Sequence, residues 1–175
     1  MDLILVRHAR AFDRDSAAWP DDSRRPLTAS GREEFARLAK RLGRIAPAVE
    51  ILEASGFVRA WQTSQILAEE SGWPAPSRLE RLESAPTAAE ESVRIESLVR
   101  ALDGMRGIDA VAWVGHEPML SRLAARLLTG KGDGVAIDFK KGAALALRIT
   151  PGQHAQFLWM ITPRLVARMR DRRKK

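Results

Sequence analysis

Short apolar runs are spread along the chain and are separated by longer segments of mixed polarity. The runs at residues 3–6 and 110–114 are continuous, as is typical of strands buried on both faces of a sheet. Residues 49–52 predict a further strand, which lies between these two in the sequence. Late in the chain, residues 143–149 and 156–161 predict two further strands, which could pair as a hairpin.

Between these strands, apolar residues recur every three to four positions, which is the period of a helix with one buried face. We predict helices at residues 35–45, 58–70, 95–105 and 119–128. The spacing of Ser30 and Glu33, and that of Thr87 and Glu90, matches a capping box at the start of a helix. Gly72 is placed to end the helix before it.

The alternation of strands and helices predicts an α/β fold, a three-layer sandwich with a largely parallel central sheet. The length suits a single domain, which we assign to residues 1–163, followed by a basic C-terminal helix and tail at residues 164–175. The polar stretch at residues 10–26 predicts a loop. Ligands of such sheets bind at the carboxyl ends of the strands, so functional side chains are expected directly after each strand.

The net charge of +7 is concentrated at one end of the chain. Residues 164–175 contain seven basic residues and one acidic residue, Asp171, and so carry +6. We expect this segment to be a solvated tail; the alternative is that it contacts an acidic partner or nucleic acid. It contains no aromatic residue, so base stacking gives no support to a nucleic-acid partner.

The composition excludes several kinds of protein and site. The sequence has no run of about twenty apolar residues, so we expect no membrane-spanning helix. The apolar segment near Met1 is too short for the core of a signal peptide, and we expect a cytoplasmic location. The absence of cysteine excludes disulfides, thiolate metal ligands and a cysteine nucleophile.

Basic side chains and imidazoles follow three of the predicted strands. Arg7 and His8 come directly after the first strand. Arg59 lies one turn into the helix after the second strand, and His116 follows the third. If these strands are neighbours, the four side chains meet at one sheet edge and suit a tetrahedral dianion, because guanidinium groups pair with phosphate oxygens. His154 has no such companions and is expected to be non-catalytic.

These residue types can carry out phosphoryl transfer. A neutral imidazole can attack phosphorus and hold the phosphoryl group covalently if its other ring nitrogen donates a hydrogen bond that fixes the tautomer. The arginines can neutralise the charge that develops during transfer, so the reaction needs no metal and no cofactor. We therefore predict a metal-independent phosphohydrolase. A module that binds phosphate or a partner without catalysis is the alternative from another class.

Four segments, in order, resemble the motifs of the histidine phosphatase superfamily, also called the phosphoglycerate mutase-like family. They are LVRHA from residue 5, RPLTASG from residue 25, SGFVRAWQT from residue 55 and VGHEP from residue 114. The resemblance covers residues 3–128 and implies a phosphoglycerate mutase-like fold. Gly56 departs from the pattern, because relatives often have proline there.

The short length and the Arg-Pro-Leu-Thr segment resemble the SixA-type branch, whose members remove phosphate from phosphohistidine in proteins. The resemblance implies that His8 accepts the phosphoryl group and that Arg7, Arg59 and His116 hold it. Arg25 is either an added contact to the phosphate or part of a surface ion pair. The expected substrate is a phosphorylated protein; the alternative is a small phosphomonoester such as a nucleotide, a sugar phosphate or a polyphosphate.

The proton donor is the residue that the sequence defines least. Larger relatives carry an acidic residue for this role within an insertion that is longer than the matching segment here. Glu83 is our candidate, with Glu117 and Asp13 as alternatives, and a merely solvated Glu83 as another. A phosphoramidate such as phosphohistidine depends less on a general acid than an alkyl phosphate does, which favours a protein substrate.

Overall fold

Six strands form one mixed sheet at the centre of the computed structural model, which describes residues 1–46, 49–105 and 107–171. The strands are β1 (Asp2–Arg7), β2 (Ile51–Ala54), β3 (Ser77–Arg78), β4 (Ala110–Gly115), β5 (Ala144–Arg148) and β6 (Gln156–Ile161). They lie in the order β3-β2-β4-β1-β5-β6. Neighbours among β3, β2, β4 and β1 are parallel, whereas β5 is antiparallel to both β1 and β6.

Helices cover both faces of this sheet. They are α1 (Ala29–Ile45), α2 (Val58–Ser71), α3 (Ala88–Asp103), α4 (Met119–Thr129) and α5 (Pro163–Asp171), with short 3-10 helices at Asp22–Arg24 and Glu80–Leu82. Ile4 and Val6 belong to the core beneath α1, α2 and α5, whereas Leu3 and Leu5 belong to the core beneath α3 and α4. Successive strand residues point to opposite faces, so one apolar run supplies both cores. The predicted three-layer α/β fold is confirmed, and its sheet is parallel across the four strands from β3 to β1.

The start of α1 differs from the prediction. Thr28, not Ser30, caps the helix, and its Oγ1 accepts a hydrogen bond from the Gly31 N–H at 3.0 Å. A Cβ at Gly31 would collide with the carbonyl oxygen of Arg10. The segment from Thr28 to Gly31 is therefore a helix cap followed by a close contact with the preceding loop, which a capping-box spacing alone does not reveal.

The start of α3 and the end of α2 lie where the sequence predicted them, whereas the two short strands β2 and β3 differ from the prediction. Thr87 caps α3 by accepting from the Glu90 N–H at 3.2 Å, and Gly72 ends α2 with φ of 78°. The second strand begins at Ile51 rather than at Val49. Val49 is buried although it precedes the strand, so its apolar character reflects packing rather than strand pairing. The two residues of β3 are exposed and polar, and no pattern predicted them.

The C-terminal helix packs onto the rest of the molecule. Val166 of α5 is buried in the same core as α1 and α2. The division of the chain at residue 163 stays a prediction, and residues 172–175 of the predicted tail lie outside the described residues. No helix in the described part of the chain is long and apolar enough to cross a membrane. The expected location in the cell stays a prediction.

Candidate active site

The carboxyl ends of β1, β2 and β4 lie side by side, so the residues that follow them meet. Arg7 is level with Gly115 in the β1–β4 pairing, and the His8 N–H donates to the Gly115 carbonyl at 3.1 Å. On the other side of β4, the Ser55 N–H donates to the Val114 carbonyl at 2.9 Å. The rings of His8 and His116 consequently lie with their centroids 5.2 Å apart.

A cavity of about 700 Å³ opens at this edge of the sheet. Arg7, His8, Arg59 and His116 all line it, so the structure brings the four strand-end residues to one place as the sequence predicted. Their roles in catalysis stay predictions. Three of the four side chains are almost fully buried, with exposures of 6% for His8, 4% for Arg59 and 2% for His116.

The ring of His8 is held as one tautomer. Its Nδ1 lies 2.7 Å from the carbonyl oxygen of Ala9, which can only accept, so Nδ1 carries the proton and Nε2 keeps a free lone pair. Burial lowers the pKa of His8 to about 3, and the charges of Arg59 and Arg7 act in the same direction. The imidazole is therefore neutral at physiological pH, which is the state that a nucleophile requires.

The second imidazole rests on Ser55. Nε2 of His116 lies 2.8 Å from Ser55 Oγ, and this oxygen accepts a hydrogen bond from the Phe57 N–H at 3.2 Å. The ring of Phe57 packs against His116 with a centroid distance of 5.0 Å. Burial holds the pKa of His116 well below its usual value, with His8 and the nearby arginines acting in the same direction. His116 is thus a neutral ring whose Nε2 edge is already occupied.

Backbone carbonyls hold the outer ends of both arginines. Nη1 of Arg7 donates to the Phe139 carbonyl at 2.6 Å. Arg59 donates through Nη1 to the Asp22 carbonyl at 2.7 Å and through Nη2 to the Asp22 carboxylate at 3.0 Å. Burial lowers the pKa of both guanidiniums, but arginine starts so high that each keeps its charge.

Three buried nitrogens at this site lack a hydrogen-bond partner. They are Nε of Arg7, Nε of Arg59 and Nδ1 of His116, and no other buried side-chain nitrogen or oxygen that the structure describes is unpaired. A buried polar group without a partner costs about 1–3 kcal/mol, so such groups in native proteins need an explanation. Two of the three are charged donors, and an oxyanion in the cavity would satisfy them.

Comparisons with known proteins identify the family of this chain. Residues 3–85 match the sequence profile of the histidine phosphatase superfamily (branch 1). An uncharacterized protein of Picosynechococcus sp. is 30% identical over 148 residues, which is 85% of each chain. The chain belongs to the histidine phosphatase superfamily. Phosphatase activity is the function that this membership supports, and it does not resolve the substrate.

Several solved phosphatases share the fold. The protein histidine phosphatase SixA complexed with tungstate has a TM-score of 0.77 at 23% identity, covering 93% of this chain and 97% of its own. The alpha-ribazole phosphatase from Shigella flexneri has a TM-score of 0.72 at 18% identity, with 93% and 97% covered. A phosphoserine phosphatase mutant from Entamoeba histolytica, in complex with phosphoserine, has a TM-score of 0.67 at 14% identity, with 94% and 98% covered.

Two further residues of the histidine phosphatase motifs position the site without lining it. Oγ1 of Thr63 accepts from the Ala9 N–H at 3.0 Å and donates to the Arg59 carbonyl at 2.7 Å. Oε1 of Gln62 accepts from the Leu27 N–H at 2.9 Å. These bonds tie α2 to the segments that follow β1 and precede α1. The motif from residue 55 therefore fixes the relative positions of His8 and Arg59.

Arg25 lies in the cavity wall and is buried, with an exposure of 8%. Its Nε pairs with the Asp22 carboxylate at 2.9 Å, and its Nη1 donates to the Phe12 carbonyl at 2.6 Å. The structure thus contains an ion pair of Arg25, as one of the two predictions for this residue held, but Arg25 is buried rather than at the surface. Contact of Arg25 with the phosphate stays a prediction.

Asp22 is a residue of this histidine phosphatase site that the sequence did not reveal. Its carboxylate binds Arg59 and Arg25 together, and the hydrogen bond from Arg25 lowers the pKa of Asp22. Asp22 lies in a 3-10 helix within the polar stretch that we predicted as a loop. The only signal in the sequence was an acidic residue close to the Arg25 motif, which is common in loops.

The candidate proton donors lie in different surroundings. Glu83 does not line the cavity, and its Oε1 accepts from the Gly56 N–H at 3.2 Å. Glu117 lines the cavity, and both of its oxygens accept hydrogen bonds from Ser121. Burial raises the pKa of Glu117, so this carboxyl takes up a proton more readily than an exposed one. Asp13 also lines the cavity and is exposed. The role of Glu83 stays a prediction.

Proposed function

We propose that this histidine phosphatase hydrolyses its substrate through a phosphoryl group carried on Nε2 of His8, without a metal ion. The observation that carries the proposal is the cluster of three unpaired buried nitrogens around a neutral, tautomer-fixed imidazole. Such a cluster suits a phosphoryl group, because its donors have no partner in the protein and belong to residues that line one cavity with His8.

The reaction proceeds in two steps. Nε2 of His8 attacks phosphorus, so a P–N bond forms while the bond from phosphorus to the leaving atom breaks, and the leaving group takes a proton from solvent or from a carboxyl in the cavity wall. Arg7 and Arg59 donate to the oxygens of the transferring group through their Nε atoms. Water then attacks the phosphohistidine, releasing inorganic phosphate and returning the lone pair to His8. No step requires a metal, because the guanidiniums supply the positive charge.

His116 contributes through the nitrogen that has no partner. Ser55 Oγ accepts from the Phe57 N–H and has no other acceptor for its own proton among the described residues, so we assign that proton to the bond with His116 Nε2. With Nε2 accepting, the proton of the neutral ring resides on Nδ1. That N–H is the third donor to the phosphoryl oxygens.

We propose a phosphohistidine-bearing protein as the substrate. A phosphoramidate has a labile P–N bond and needs little help from a general acid. Glu83 is bonded to the backbone outside the cavity, which accords with such a leaving group. SixA, whose fold this chain shares, is a protein histidine phosphatase and was solved with tungstate, a tetrahedral oxyanion.

A small phosphomonoester is the second candidate substrate, and one observation favours it. Glu117 lies in the cavity wall with a raised pKa, as a proton donor for an ester oxygen should. A direct comparison of a phosphohistidine protein with a panel of small phosphate esters separates the two substrates. A higher kcat/KM for the protein supports the first candidate, and a higher value for an ester supports the second.

The chemistry is tested by His8→Gln with an aryl phosphate as substrate. Turnover should vanish, the ³²P-labelled covalent intermediate should disappear, and the circular dichroism spectrum should be unchanged. His154→Gln is the matched control, because it removes an exposed histidine elsewhere in the chain. Full turnover by the His8 variant, or loss of wild-type turnover in a chelator followed by recovery with a divalent metal, would refute the proposal.

A further inference from the structure

A second cavity, of about 950 Å³, adjoins the phosphate site. It lies between α1, α5, the end of β6 and the loop before β5, and we call it the basic groove. Its charged wall contains Arg10, Arg37, Lys140, Lys141 and Arg164. Arg7 and Lys141 line both cavities, so the groove adjoins the cavity that His8 lines.

Positive charge dominates the basic groove. With Arg7, six cationic side chains line it, against two carboxylates, those of Glu34 and Asp138. Each carboxylate pairs with one cation, Glu34 with Arg10 at 3.6 Å and Asp138 with Lys140 at 2.8 Å. The excess is local, because the groove residues other than Arg164 carry +3 while residues 1–163 together carry only +1.

The floor of the basic groove is apolar. Val166 is buried, and Met160 and Pro163 are half-buried. An occupant that satisfies both surfaces carries negative charge together with apolar side chains, as an acidic peptide segment does. None of the residues that line the groove is aromatic, so bases would have nothing to stack on.

We propose that the basic groove binds an acidic, partly apolar segment of the phosphorylated protein substrate, next to its phosphorylated residue. This inference rests on the proposed function, because it assigns the groove to the same substrate. Arg7 and Lys141 lie at the junction, so the phosphoryl group can reach His8 while the neighbouring acidic residues contact Arg37 and Arg164. A small phosphomonoester would fill the phosphate site and leave the groove empty.

The test reverses two groove charges that take no part in the phosphate site, in the double variant Arg37→Glu/Arg164→Glu. Arg44→Glu/Arg100→Glu is the matched control, with the same change in net charge at exposed residues that do not line the groove. Three substrates are compared: a phosphohistidine peptide flanked by Glu and Leu, the same peptide flanked by Ser and Gly, and an aryl phosphate. Binding of the unphosphorylated acidic peptide is measured in parallel by fluorescence anisotropy.

We expect the groove variant to raise KM for the acidic peptide, and to weaken its binding, by about tenfold, the sum of two ordinary surface charge contacts. Hydrolysis of the aryl phosphate and of the neutral peptide should stay within about twofold of the wild type, and salt should weaken acidic-peptide binding to the wild type. The control variant should behave as the wild type does.

The outcomes separate this inference from the proposed function. The inference is overturned if the wild type hydrolyses both peptides equally well, or if the wild type and the groove variant bind the acidic peptide equally tightly. In either case, turnover of the aryl phosphate still supports the chemistry of His8. A single-stranded oligonucleotide that displaces the acidic peptide, and binds more tightly than it, assigns the groove to nucleic acid instead. If neither peptide is hydrolysed, the anisotropy measurement decides.

Discussion

The stability of this histidine phosphatase should fall as the solution is acidified, because His8 is buried as a neutral ring. Burial lowers the pKa of His8 to about 3 in the folded chain, whereas an exposed histidine titrates near 6.5. Between these two values the unfolded chain binds a proton that the folded chain does not. The free energy of unfolding therefore decreases as the pH falls below about 6.5, and the loss continues to about pH 3.

The size of the effect follows from the difference between the two pKa values. Each unit is worth about 1.4 kcal/mol, so His8 alone removes about 5 kcal/mol once both states are protonated. By about pH 5, where most carboxylates are still ionised, the loss is roughly 2 kcal/mol relative to pH 7. His116 adds to it in the same direction, because its pKa is lowered as well.

Urea denaturation at about pH 7 and at about pH 5 measures the effect, in buffers free of phosphate and sulfate because a bound anion would stabilise the folded state. The change in free energy between the two pH values should be smaller by roughly 2 kcal/mol in His8→Gln than in the wild type. His154→Gln should keep the wild-type change, since it removes an exposed ring. If His8→Gln and the wild type lose the same free energy on acidification, His8 is not held neutral and the nucleophile would have to be explained otherwise.

Two further predictions concern residues around the cavity. Ser55→Ala removes the hydrogen bond to His116 Nε2 and should lower kcat/KM for an aryl phosphate by about tenfold, as one lost bond of about 1.4 kcal/mol implies. Ser55→Thr should restore most of the lost kcat/KM. An unchanged kcat/KM in Ser55→Ala would contradict the role given to Ser55. Glu117→Gln should slow hydrolysis of an alkyl phosphate by at least about tenfold and leave hydrolysis of a phosphohistidine peptide nearly unchanged, since only the ester needs a strong acid. An equal loss on both substrates would assign Glu117 to holding α4 rather than to proton transfer.

The sequence predicted the strand-end residues because two simple regularities act together. A buried parallel strand is an uninterrupted apolar run, and the residue after it lies at the binding edge of the sheet. Arg7, His8 and His116 could be placed in this way from residues near them in the chain. Arg59 needed only one helical turn more. The family motifs then supplied roles that the pattern by itself could not.

The features that the sequence did not predict depend on contacts between distant segments. Asp22 binds Arg59, which is 37 residues away, from a 3-10 helix too short to show any periodicity. The two residues of β3 carry no apolar pattern because both are exposed. The basic groove forms only where α1 packs beside α5, so no single segment of the sequence displays it.

Gly56, where the sequence departs from the family's motif, is hydrogen-bonded to Glu83, the candidate proton donor. Its N–H donates to Oε1 of Glu83 at 3.2 Å, and a Cβ at Gly56 would lie only 2.6 Å from that oxygen. Proline has neither the N–H nor the room, so relatives with proline at this position cannot hold a carboxylate in this way. In this chain, the bond fixes Glu83 against the backbone at the start of α2, outside the residues that line the cavity. Glu83 is thereby held away from the leaving group, so the proton that an ester oxygen would need has to come from a carboxyl in the cavity wall such as Glu117.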